Sequence, residues 1–284
     1  MTAALTQLSS SKCFDGHVLK YRHASATLGC DMQFSVFLPS AAADGPVPAL
    51  IFLSGLTCNE DNFITKAGAC QYASKHGVAL VCPDSSPRGV NCKDDKETWD
   101  FGEGASYYVD ATTDEYKKHY QMYSYVTDEF YNQVIGALPI DKSRISLFGH
   151  SVGGHGALTI GLRNPAKFRS ISAFAPMSNP TNCAWGQKAF TRFLGDSDPS
   201  LWSKYDATLL AEAYAGPKVD VLIDQGSKDN FLAQYLHTSK VVDAMKANDK
   251  INVEYRLRDG YDHGYWYIQS FVEEHIKWHA ERLA

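Results

Sequence analysis

Two hydrophobic periodicities alternate along the chain. Met32 to Leu38 alternates like a half-exposed strand and stops at Pro39, whereas Ala49 to Leu53 is apolar throughout, as a strand buried on both faces is. A helical period runs from Ile64 to His76 with Gly77 as its stop, and a short apolar strand, Val78 to Cys82, closes at Pro83. Strand, helix and strand at that spacing predict a parallel βαβ unit. Asp84 to Asp110 shows no period and is rich in Gly, Asp, Tyr and Trp, and a loop of that length in a compact domain is usually functional. Helical spacing returns over Met122 to Leu138, with Val126, Phe130, Val134 and Leu138 on one side.

Ile145 to Phe148 then reads as a buried strand, followed by a helix to about Arg163 and a strand over Ser170 to Phe174. Pro176 to Asp206 reads as a second irregular region. Val219 to Ile223 is predicted as a strand, Phe231 to Ala247 as a helix, Ile251 to Leu257 as the last strand and Tyr265 to Ala280 as the closing helix. The pattern predicts one α/β domain over residues 1–284, a doubly wound, mostly parallel sheet with helices on both faces. Two loop excursions, near 84–121 and 176–206, would stand at the carboxyl edge, where such sheets place their ligands.

The turn between strand 145–148 and the next helix reads Gly149-His150-Ser151-Val152-Gly153, the Gly-x-Ser-x-Gly pattern of a nucleophile elbow. A turn this sharp crowds strand against helix, so the positions two before and two after the serine must be nearly free of side chain. It holds the serine hydroxyl at the top of the sheet and aims the Val152 amide at a developing oxyanion.

A serine hydroxyl needs a base, and the base needs a carboxylate to fix its tautomer. The α/β-hydrolase order is Ser, then Asp or Glu, then His, each in a loop after a strand. After strand 219–223, Asp229 lies beyond the glycine turn and before the next helix; Asp224, at the strand end, is the alternative acid, and a helix N-cap is the alternative role for Asp229. After the last strand, His263 sits between Gly260 and Gly264, and among ten histidines it alone combines a loop position with the right order. A second oxyanion donor in this fold comes from the loop after an early strand, here Ser54 to Asp61, with the Leu56 amide as candidate. Each such donor stabilises the transition state by about 3 to 4 kcal/mol. Cys58, two residues on, is either a thiol at the pocket mouth or a buried, inert cysteine. His275 and His279, four apart without a third ligand, are expected on a wetted helix face rather than on a metal.

Composition narrows the partners. A net charge of -5 without a basic stripe argues against nucleic acid. No run of about 18 apolar residues predicts a membrane span, and Met1 to Ser11 lacks the pattern of a signal peptide. Seven cysteines without C-x-x-C spacing fit reduced thiols and a cytoplasmic location.

Together these residues resemble the S-formylglutathione hydrolase, or esterase D, family. The likeness runs through Ser54-Gly-Leu-Thr-Cys-Asn-Glu-Asp-Asn62, Trp99-Asp-Phe-Gly102, Tyr108-Val-Asp-Ala-Thr112, Met122-Tyr-Ser-Tyr-Val-Thr127, Gly149 to Leu158, Trp185-Gly-Gln-Lys-Ala-Phe190, Asp224-Gln-Gly226 with Asp229, and Asp262-His263-Gly264. The resemblance implies an α/β-hydrolase fold and hydrolysis of S-formylglutathione to formate and glutathione, with Ser151, Asp229 and His263 as the triad. It further implies activity on small acyl esters, no metal or cofactor, and a homodimer. Trp185 and Lys188, with Cys58, are candidates for substrate contact. Val152 stands where the family often has Met, Ala184 where it often has Pro, and Ser106-Tyr107 where it has Gly-Phe; these changes bear on the pocket rim and the acyl preference. A general short-chain carboxylesterase or acyltransferase would use the same residues. A non-catalytic binding protein would usually lack one of the three.

Overall fold

Strands β4 (Val47–Leu53) and β6 (Ile140–His150) lie side by side and parallel at the centre of a nine-stranded sheet. Ala49 to Leu53 are fully buried, which is why that run carries no polar alternation. The other strands are β1 (Thr6–Cys13), β2 (Gly16–Ser25), β3 (Cys30–Leu38), β5 (Ala79–Pro83), β7 (Ile171–Phe174), β8 (Val219–Gly226) and β9 (Ile251–Arg258), in the order β1-β2-β3-β5-β4-β6-β7-β8-β9. From β5 to β9 every neighbour is parallel, while β1, β2 and β3 add on antiparallel. This is the α/β-hydrolase arrangement, seen in a computed structural model that describes residues 2–284.

Helices cover both faces. Ala69–His76 packs against Tyr265–Leu283, while Val152–Arg163 packs against Ala207–Glu212, which meets Thr238–Ala247. The expected helix over 64–76 is two helices, Glu60–Lys66 and Ala69–His76, because Gly68 at φ 65° turns the chain between them. The first starts on a capping box: Asn59 accepts from Asp61 N-H, and Asn62 Oδ1 accepts from Asn59 N-H at 2.9 Å. Gly77, at φ 64°, ends the second as expected. The helix expected over 231–247 is likewise divided at His237, φ 50°, and the run from Met122 winds as a π-helix over Tyr125–Val134.

Two further expectations need correction. The region 176–206 is not irregular throughout, since Ala184–Leu194 is a helix that buries Phe190, Phe193 and Leu194; its N-cap, Cys183, offers no side-chain hydrogen bond, so no start signal marks it. His275 and His279 are not on a wetted face. Both are fully buried against β7, where Ser172 Oγ lies 2.8 Å from His275 Nδ1 and 2.8 Å from His279 Nε2, and Ser170 Oγ lies 2.7 Å from His279 Nδ1. Val272 and Ile276 share that buried face, and Ser170 and Ser172 bond three of the four ring nitrogens that the apolar stripe carries inward, His275 Nε2 having no hydrogen-bond partner among the described residues.

Candidate active site

The carboxyl ends of β4, β6 and β8 converge on a cavity of about 220 Å³. Its walls include Leu56, Cys58, Ser151, Trp185, Phe231 and His263. Ser151 stands between β6 and the helix Val152–Arg163 at φ 57° and ψ -122°, a backbone region that a non-glycine residue enters only when its surroundings hold it there. The hold is visible: Ser151 N-H donates to Phe174 O at 3.0 Å, and Ser151 O accepts from Met177 N-H at 3.1 Å. A Cβ on Gly149 would lie 2.2 Å from Gly153 O, and one on Gly153 would lie 2.0 Å from Leu53 O. Only glycine fits on either side of the serine.

His263 follows β9 in the loop before the last helix, and its Nδ1 donates to Asp229 Oδ2 at 2.6 Å. That bond puts the proton on Nδ1 and leaves Nε2 free to accept one. The Asp229 side chain is fully buried, and its other oxygen accepts Phe231 N-H at 2.9 Å. Burial pushes its pKa upward, but the hydrogen bond and charge of His263, with the Phe231 amide and Gln225, outweigh burial and hold the carboxyl below its usual range.

Asp224 is separated from this site. It pairs with Arg258 at 2.6 Å inside the sheet, and Arg258 continues to Glu274 at 2.6 Å. Phe231 stands edge-on to His263, with ring centres 5.1 Å apart, and Trp185 lies 5.2 Å from Phe231 while stacking on Tyr235 at 3.7 Å. Trp99 meets Trp185 edge-on at 5.1 Å, so three aromatic rings line one side of the opening.

The early loop is shaped to present an amide. Thr57 N-H donates to Gly104 O at 2.8 Å and Cys58 N-H to Gly55 O at 3.3 Å, whereas Val152 is the first residue of its helix and has no acceptor within it. A Cβ on Gly55 would stand 3.1 Å from Ser151 Cβ, so the loop rests directly on the serine. Cys58 lines the cavity, and burial raises its thiol pKa, which keeps it protonated. Lys188, a candidate for substrate contact, has its ammonium held by Asp100 Oδ1 at 2.6 Å and Thr98 Oγ1 at 3.0 Å. It braces the segment that carries Trp99.

Phe231, Tyr265 and Gln225 were not singled out from the sequence. Gln225 lay within the Asp224-Gln225-Gly226 run, and Phe231 lies two residues beyond Asp229, so the signal for both was proximity to the acid.

The chain is similar over its length to known esterases. A family model described as "Putative esterase" matches residues 25–278. An S-formylglutathione hydrolase of Bos taurus is 51% identical over 280 residues, covering 99% of each chain, and that of Mus musculus is 50% identical over 280 residues, with 99% of each again covered. The chain belongs to the S-formylglutathione hydrolase family. A solved S-formylglutathione hydrolase from Agrobacterium tumefaciens superposes with a TM-score of 0.94 at 42% identity, covering 98% of this chain and 100% of that one. Members of this family are serine hydrolases with the α/β-hydrolase fold, and among the described residues no helix is long and apolar enough to cross a membrane.

Proposed function

We propose that the chain hydrolyses S-formylglutathione to glutathione and formate, with Ser151 as nucleophile, His263 as base and Asp229 as its orienting acid. The observation that carries this reading is the 2.6 Å bond from His263 Nδ1 to Asp229 Oδ2 beside a strained Ser151 in the same cavity. In acylation, His263 Nε2 takes the Ser151 proton as Oγ bonds to the formyl carbon, and the carbonyl oxygen rests on the amides of Leu56 and Val152. The C-S bond then breaks, and the thiolate takes the proton from the imidazolium and leaves as glutathione. In deacylation, water gives a proton to His263 and its oxygen to the formyl carbon. The C-O bond to Ser151 breaks, the serine recovers its proton, and formate departs.

The aromatic wall of Trp99, Trp185 and Phe231 favours apolar acyl and aryl groups as well, which supports side activity on small esters. Cys58 lines the same cavity, which supports its contact with the thioester substrate. Seven unpaired cysteines support a cytoplasmic location, the continuous sheet supports residues 1–284 as one domain, and family resemblance supports a homodimer. Comparing kcat/KM for S-formylglutathione with that for aryl acetates tests the substrate assignment. A clear preference for the thioester supports it; a preference for the acetates would make the chain a general carboxylesterase.

A further inference from the structure

Gln225, the penultimate residue of β8, is fully buried, and the catalytic assignment gives it no role. Its Nε2 donates to Asp229 Oδ2 at 3.0 Å, the same oxygen that receives His263 Nδ1 at 2.6 Å. The Gly226 carbonyl accepts from Nε2 at 3.1 Å, so two acceptors face this end of the amide, which fixes it as the nitrogen. At the other end, Thr238 Oγ1 donates to Gln225 Oε1 at 2.7 Å. Thr238, itself fully buried at the start of a helix, therefore sets the direction of the amide.

We propose that Gln225, oriented by Thr238, is a positioning residue that locks the Asp229 carboxylate under His263 and limits the charge Asp229 presents to the imidazole. This rests on the triad reading of Ser151, Asp229 and His263. With Nε2 present, Oδ2 shares its electron density between two donors and cannot swing about the terminal torsion. Without it, the carboxylate loosens, and His263 becomes the only side-chain donor on Oδ2, so its protonated form gains stability. Both consequences lower the rate, but only the second moves its pH dependence.

The other groups facing the pair do not titrate in the working range. His150, from the end of β6, has its ring 4.5 Å from that of His263, and burial followed by the charge of His263 keeps it neutral. Burial keeps Tyr265 and Tyr267 of the last helix protonated. Asp224 and Arg258 compensate each other at 2.6 Å.

The test is the pH profile of kcat and kcat/KM on S-formylglutathione for the wild type, Gln225→Met, Gln225→Glu and Thr238→Val, with Ser151→Ala as the inactive reference. Gln225→Met should lower kcat/KM between about ten-fold and about a hundred-fold, mainly through kcat, and move the acid limb to higher pH. Gln225→Glu should work only where His263 is neutral while the introduced carboxyl is still protonated and donates in place of the amide, and lose activity as that proton leaves. Thr238→Val should shift the limb in the same direction as Gln225→Met, by less. Should Gln225→Met not fold, the other two variants decide. An unshifted acid limb in the folded variants, beside an inactive Ser151→Ala, overturns the proposal alone. Turnover surviving in Ser151→Ala overturns the triad reading and the proposal with it.

Discussion

The hydroxyl of Tyr108 donates to the carbonyl oxygen of Ser54 at 2.7 Å, a buried contact that ties the first excursion to the loop lying on Ser151. Tyr108 holds φ 53°, so its backbone is kept in an unfavourable region by its surroundings. Removing the hydroxyl would leave the Ser54 carbonyl without that donor in a dry interior, at a cost of about 1 to 3 kcal/mol. Tyr108→Phe should therefore unfold at lower urea and show a reduced kcat, because the Leu56 amide is no longer held in place. Urea titration with steady-state kinetics measures both, and unchanged values would separate this contact from the oxyanion loop.

The departures at Ser106-Tyr107 have a visible purpose. Ser106 Oγ donates to Ser85 O at 2.6 Å, Ser85 Oγ donates to Cys58 O at 2.6 Å, and Tyr107 OH donates to Asp100 O at 3.0 Å. Glycine and phenylalanine, the residues of the family pattern, could make neither of the bonds from 106 and 107. Ser106→Gly and Tyr107→Phe should each lower stability by about 1 kcal/mol, measured by the denaturation midpoint, while the preference for S-formylglutathione over acetate esters stays unchanged.

Histidine burial predicts acid sensitivity. Burial lowers the pKa of His155 to about 4 and depresses those of His275 and His279. Because the folded pKa lies below the unfolded value of about 6.5, the unfolded chain binds more protons in acid. The stability due to these neutral imidazoles is complete above about pH 6.5 and is lost as pH falls below it, by up to about 1.4 kcal/mol per pH unit for each histidine. Denaturation midpoints recorded from neutral to mildly acidic pH should be level above that point and fall below it. A midpoint that holds steady to pH of about 5 would contradict the burial of these three side chains.

Where side chains had to satisfy packing, the sequence was readable. The all-apolar run of β4, the glycines flanking Ser151 and the chain order of Ser151, Asp229 and His263 each express one local requirement. What escaped was decided by tertiary partners. The residues of β1 from Thr6 to Lys12 are all exposed and, Leu8 apart, polar, so the strand exists by pairing with β2 and leaves no alternation to read. Lys188 and Gln225 are both polar residues near the site, yet one pairs with Asp100 and the other with Asp229. His275 and His279 read as solvent-facing because Ser170 and Ser172, which receive them, are more than a hundred residues away.

In the proposed mechanism Ser151, activated by His263 on Asp229, forms the bond to the formyl carbon. Turnover of S-formylglutathione by Ser151→Ala, measured on protein whose circular dichroism matches the wild type, tests it most directly. The expected result is a loss of about a million-fold in kcat. A variant that still turns over at a rate near the wild type would show that another group attacks the thioester.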